Sequence, residues 1–194
     1  MKNQIVKILK NREGQLLVES VIAIGIFTIA IVGIVGVIAR AVHEGRTVGN
    51  QFIAADLAAE GIEVTKNILD SNALNSGGSA GGAWNAGVQP GIYEVNYTST
   101  STGPDIGPSL TNLNSASSTY NQLTALYLND LGAYQYAKTS TSTIYRRYVQ
   151  VEYINTPNSG NNQIRAISTV IWPTSARAGG YGVVSVATDF LNWR

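Results

Sequence analysis

No cysteine occurs among the 194 residues. A disulfide framework, a thiol nucleophile and a cysteine-ligated zinc site are all excluded by that one absence. Only one histidine is present, His43, and it stands beside a long apolar run, a poor place for the centre of a catalytic triad or a metal cluster. Charge is also scarce. Charged residues make up 13% of the chain and the formal net charge is +1, a total that suggests neither a polyanion-binding protein nor a disordered acidic tail. Proline is missing from the whole stretch before Pro90, so nothing of that kind interrupts a helix there.

What charge there is, is unevenly placed. Lys2, Lys7, Lys10 and Arg12 against Glu13 give the first thirteen residues a net +3, and the nine basic and eleven acidic residues that remain give −2. Immediately after this basic stretch, Ser20 to Ala39 are twenty consecutive residues with no formal charge. As a helix rising ~1.5 Å per residue they span about 30 Å, the hydrocarbon thickness of a bilayer. The excess of Lys and Arg before the span predicts a cytoplasmic N-terminus, with everything after Arg40 exported. The apolar run is too long for the core of an ordinary secretory signal, and no Ala-x-Ala site follows it.

Glu19 stands at the entrance of this run. An acidic group there sits well with the positive end of a helix macrodipole and with headgroup water. A second reading requires a cut between Gly14 and Gln15. The cut would free an α-amino group four residues before Glu19, one helical turn away on the same face and equally near the Glu19 of a packed neighbour. In an apolar assembly an unpaired carboxylate costs several kcal/mol, an amount roughly offset by a neighbour's ammonium.

The order of features, a short basic leader, then Gly14-Gln15-Leu16-Leu17-Val18-Glu19, then the apolar "SVIAIGIFTIAIVGIV", resembles the type III signal of type IV prepilins and type II secretion pseudopilins. The likeness covers roughly the first 40 residues. It implies a chain held in the inner (cytoplasmic) membrane, cleaved after Gly14 by a prepilin peptidase and methylated on Gln15. It implies as well that Glu19 pairs charges during assembly, and that the partners are other pilin or pseudopilin subunits and, indirectly, an assembly ATPase and its platform. The product would be an extracellular or periplasmic filament. Two features tilt the resemblance towards minor pilins and pseudopilins: Gln15 stands where the family most often has Phe, and Gly25, Gly33 and Gly36 occur in place of the mid-membrane proline of many major pilins.

Residues 41–75 carry Val48, Phe52, Ala55, Ala59, Ile62 and Leu69 at alternating spacings of three and four, interrupted at Lys66, which predicts an amphipathic continuation of the membrane helix with those residues as the covering stripe. Glu60 and Glu63 are expected on a solvated face. The glycine-rich "NSGGSAGGAWNAGVQPG" ends the helix near 70–75 and opens a head over residues 76–194. Alternation in "GIYEVNYT", "IYRRYVQVEYI", "IRAISTVIW" and "VVSVATDFLNW" predicts strands, the last three forming an antiparallel meander with one face on the helix. Between them lie a Ser/Thr/Gly-rich loop at about 98–119 and "LTALYLNDLGAYQYAK", read as strand and turn. The fold class is therefore α+β, a membrane-spanning and amphipathic spine helix packed on a C-terminal antiparallel sheet, the arrangement the resemblance also implies. The four domains are a leader (1–14), an assembly helix (15–40), its amphipathic continuation (41–75) and the head.

No catalytic function is expected. Glu94, Asp105, Asp130, Glu152 and Asp189 are scattered over different elements, and no HExxH, nucleophile elbow, Walker or EF-hand spacing is present; no metal and no cofactor is implied. Tyr145-Arg146-Arg147-Tyr148 brings aromatic and guanidinium groups together, but a strand sends them to alternate faces and the exported part is net negative, which argues against nucleic acid as a partner. A structural arginine near the sheet edge is the expectation. An uncleaved, membrane-anchored surface domain that binds a ligand through its head stays open as the alternative, and the two readings part at Gly14.

Overall fold

A computed structural model describes residues 2–75, 84–97, 116–136, 138, 141–154, 163–174 and 180–191, with side chains from Gly14 onward except at 75 and 116–118. In chain order the elements are α1 (Lys2–Asn75), β1 (Gly91–Tyr93), α2 (Ala116–Gln122), β2 (Tyr127–Leu128), β3 (Tyr134–Gln135), β4 (Thr141–Ser142), β5 (Arg146–Tyr153), β6 (Gln163–Thr174) and β7 (Gly180–Leu191). Two units divide the chain, residues 1–48 and 49–194, and α1 contributes to both.

The first unit is helix alone. From Gly14 to Arg46 every side chain is exposed, including Ile22, Phe27, Ile29, Val32 and Val37. The helix is long and apolar enough to cross a membrane. Its hydroxyls are satisfied internally: Ser20 Oγ donates to Leu16 O (2.7 Å) and Thr28 Oγ1 to Ile24 O (2.7 Å), which removes the need for water along an apolar surface.

In the second unit, the end of α1 packs on a four-stranded antiparallel sheet of order β1-β5-β6-β7, so the α+β class and the closing meander are as the sequence predicts. Period-two alternation sends Val149, Val151, Ile164, Ala166, Val170 and Trp172 to one face, where they are buried with Leu57, Ile62, Ile68 and Leu69 of the helix. Each fully buried aliphatic side chain there stabilises by about 1.5–3 kcal/mol. A small second sheet of order β3-β2-β4 has β2 and β3 in the stretch read as strand and turn and β4 just after it. Its β2–β3 hairpin closes through Gly132, whose φ of 80° suits a residue without a Cβ.

The helix face that packs on the sheet differs from the expected stripe. It comprises Ala54, Leu57, Ala58, Gly61, Ile62, Val64, Thr65, Ile68, Leu69 and Asn72, whereas Val48 and Phe52 are 62% and 69% exposed and Ala59 also faces outward. Ile62 and Leu69 were placed correctly. The cause of the rotation is close approach: a Cβ on Gly61 would lie 2.4 Å from Ser168 Oγ and 3.2 Å from Arg147 Cδ, so the contact selects small residues over Phe52.

α1 ends at Asn75, within the expected 70–75. The glycine-rich stretch beyond it lies outside the described residues up to Gly82 and Ala83, as does most of the Ser/Thr-rich loop, from 98 to 115. Residues 116–119, assigned to that loop, are the first turn of α2.

Candidate processing and assembly site

Gly14, Gln15 and Glu19 all lie within α1, and all three are exposed. Four residues separate Gln15 from Glu19, about 6 Å along the axis and nearly one full turn, so both side chains lie on one face. Glu19 accepts no described salt bridge in its own chain; its neighbours Leu16, Leu17, Val18 and Val21 are exposed apolar groups. The peptide bond between Gly14 and Gln15 is held inside the helix, and Gly14 weakens the helix locally by about 1 kcal/mol relative to alanine.

The head contains a second polar arrangement, which alternation only half revealed. Tyr145, Arg147, Val149 and Val151 point inward from β5 and its approach, and Arg146 and Tyr148 point the other way. Arg147 is fully buried on β5, the second strand of the sheet, two residues before the stretch Val149–Val151 that pairs with β1. Its Nη1 donates to Leu57 O (2.9 Å) and lies 3.2 Å from Glu60 Oε2, and its Nη2 donates to Val95 O (2.8 Å). Glu60, expected on a solvated face, is thus the counterion of a buried guanidinium; its side chain is 33% exposed, while Glu63 does face outward. The arrangement fastens the helix to the sheet and to the segment after β1.

Tyr136, the residue after β3, closes this cluster. Its hydroxyl donates to Arg147 O (3.0 Å), and burial, opposed by the nearby Arg147 charge, pushes its pKa up to about 12. Arg146, on the far face, donates through Nη1 to Tyr120 O and to Leu123 O (2.7 Å) and stacks over the Tyr120 ring at 4.1 Å, so it caps α2. Buried Glu94 accepts from the Thr124 amide, tying the segment after β1 to the one after α2. Every one of these groups is engaged in holding elements together. Among the described residues, no three His, Asp or Glu side chains gather as a metal site would require.

A signal for Arg147 was present in the sequence, as a charged residue at an inward position of an alternating strand, which demands a buried partner. Nothing in the sequence pointed to Glu60 as that partner, because the helix stripe was read in the wrong phase.

Compared with protein-family models, with curated proteins and with solved structures, the chain matches none of them.

Proposed function

We propose that this chain is a structural subunit of the minor pilin or pseudopilin kind, cleaved after Gly14 by a prepilin peptidase and packed through its N-terminal helix into a type IV pilus or a secretion pseudopilus. The observation that carries the reading is a carboxylate, Glu19, five residues past Gly14 and directly before twenty uncharged, mostly apolar residues that their own chain leaves uncovered. The layout, a long apolar N-terminal helix followed by an antiparallel sheet, fits a pilin.

Two environments suit such a helix in succession. The bilayer receives the apolar surface first, and the helices of neighbouring subunits replace lipid on assembly. Within that helical bundle Glu19 is too costly to bury alone, and the ammonium freed on Gln15 of an adjoining subunit is a partner of the right charge at the right axial level. The pairing sets the axial register between subunits. Peptidase access requires the helix to open at Gly14, where glycine lowers the cost. An assembly ATPase and platform supply the work of extraction, and the head, whose polar groups serve to hold its own elements together, has a structural and not a catalytic role.

The test separates insertion from assembly. Glu19→Ala is expected to enter the membrane and be processed as the parent is, yet to be lost from assembled filament. A Gly14 substitution with a bulky residue is expected to leave the leader in place and to abolish incorporation. Assembly of the full-length, uncleaved chain would overturn the proposal and leave the membrane-anchored surface domain in its place.

A further inference from the structure

The sheet is completed on one side and unfinished on the other. At its β7 edge, Gly180–Leu191 offers twelve residues whose outer backbone groups pair with no strand among the described residues. The contrast with its neighbour is direct. On β6, Ile164, Ala166, Ser168 and Val170 are fully buried, while their register partners on β7, which are Phe190, Thr188, Val186 and Val184 on the same face, stay half-exposed. Phe190 borders one core cluster, Val184 the other and Val186 both, so apolar burial thins out at this edge.

The strand itself carries few of the devices that normally blunt a free edge. The strand "GYGVVSVATDFL" has no proline and no lysine, and it runs about 40 Å, long for an exposed edge. Its single charge, Asp189, is already neutralised by Arg165, which donates from Nε (2.7 Å) and Nη2 (2.9 Å) and holds the carboxyl below its ordinary pKa.

We infer that β7 is a self-pairing edge, and that two copies of this chain join antiparallel through it about a twofold axis at Val186, forming one continuous sheet. The sequence is self-complementary in that register. Direct partners on opposite strands must share a face, and pairing Val186 with itself sets Val184 against Thr188, Ser185 against Ala187, and Tyr181 against Leu191. Phe190 falls opposite Gly182, where the Trp172 indole lies over the backbone and a Cβ would come within 2.3 Å of it. Gly182 carries no side chain of its own to obstruct the partner's Phe190 there. Asp189 falls opposite Val183 and away from the partner's Asp189, so no like charges meet.

A strand edge of this length buries less than a standard interface of ~1,600 Å², so the association is weak in dilution and is promoted when the chains share a membrane. The edge lies within residues 49–194, and the inference holds whether or not the chain is processed at Gly14.

The absence of cysteine makes the test clean, since each introduced thiol is the only one in the chain. In membranes carrying the full-length protein, Val186→Cys is expected to form a disulfide dimer under mild oxidation, because directly opposed Cβ atoms lie about 4.5–5.5 Å apart. Val184→Cys is expected to give little, its twin being four residues along the strand, about 13 Å away. Ser185→Cys and Ala187→Cys are at exposed positions, the first giving up only the Ser185 Oγ–Thr169 Oγ1 hydrogen bond (2.9 Å); mixed together, they are expected to cross-link with each other in preference to themselves. Ser185→Lys with Ala187→Lys should weaken dimerisation about tenfold through two like-charge contacts, and Ser185→Lys with Ala187→Glu should restore it. Cross-linking at Phe52→Cys on the exposed helix face with none along β7 would overturn the inference, as would β7 thiols that join only to other proteins.

Discussion

Adding one methyl group at Gly182 should damage the head more than its place on an edge strand suggests. A Cβ there would lie 2.3 Å from Trp172 Cζ2, 2.4 Å from Cε2 and 2.9 Å from Cη2, against ordinary carbon contacts of about 3.5–4.0 Å. Relief requires the indole to move by more than about 1 Å. Trp172 is 2% exposed and is packed with Ala54, Leu57, Ala58 and Val170, with the Tyr145 ring centroid 6.3 Å from its own. A rigid ring so enclosed has nowhere to go, and overpacking of this kind costs about 1–3 kcal/mol. Replacing a strand glycine returns about 0.5 kcal/mol, leaving a net loss of about 0.5–2.5 kcal/mol for Gly182→Ala. At about 2–4 °C per kcal/mol for a chain of this size, the full-length protein in detergent should lose roughly 1–10 °C of Tm by circular dichroism. The origin is checked by a cycle with Trp172→Leu, which alone should cost about 2–4 kcal/mol through the volume it vacates. In the double variant the new methyl enters that volume, so the two losses should fall short of additive by at least about 1 kcal/mol. An unchanged Tm in Gly182→Ala, or strict additivity in the cycle, would refute the reasoning.

Glu60→Ala should destabilise the head by about 1–3 kcal/mol by stranding the fully buried Arg147 charge, and Glu60→Ala with Arg147→Met should be more stable than Glu60→Ala alone, as denaturant midpoints would show. Tyr136 supplies an alkaline limit. Its folded pKa of about 12 stands above the ordinary 10.0, so its contribution is fully present below pH 10 and is lost as pH rises towards 12. Tyr136→Phe should flatten that part of the stability profile, measured by denaturation at fixed pH steps, and should lower stability near neutrality by about 1 kcal/mol because Arg147 O loses its donor.

The legible parts of the fold were those written in strong periodicities. Twenty uncharged residues announced the helix, and alternation in the last three strands announced the meander and its antiparallel order. The phase of the second half of the helix was lost because large apolar residues, Val48 and Phe52, drew the stripe towards themselves. The sheet instead takes the face with Ala54, Ala58 and Gly61, whose value lies in being small. Hydropathy has no measure of close approach. α2 was hidden in serine- and threonine-rich sequence, and β2, β3 and β4 are two residues each, too short for a period to show. Arg147 could have been suspected from its inward phase in β5, while its partner Glu60 is 87 residues away and visible only in three dimensions. Gly14, Gln15 and Glu19 lie within six residues of one helix, so the proposal that joins them rests on local sequence and not on the fold.

The central claim is that the leader is removed so that an amine on Gln15 can meet a neighbour's Glu19. Intact mass of the chain taken from assembled material tests it most directly. A mature species beginning at Gln15 is the expected result, and full-length chain retaining residues 1–14 in functional assemblies would contradict it.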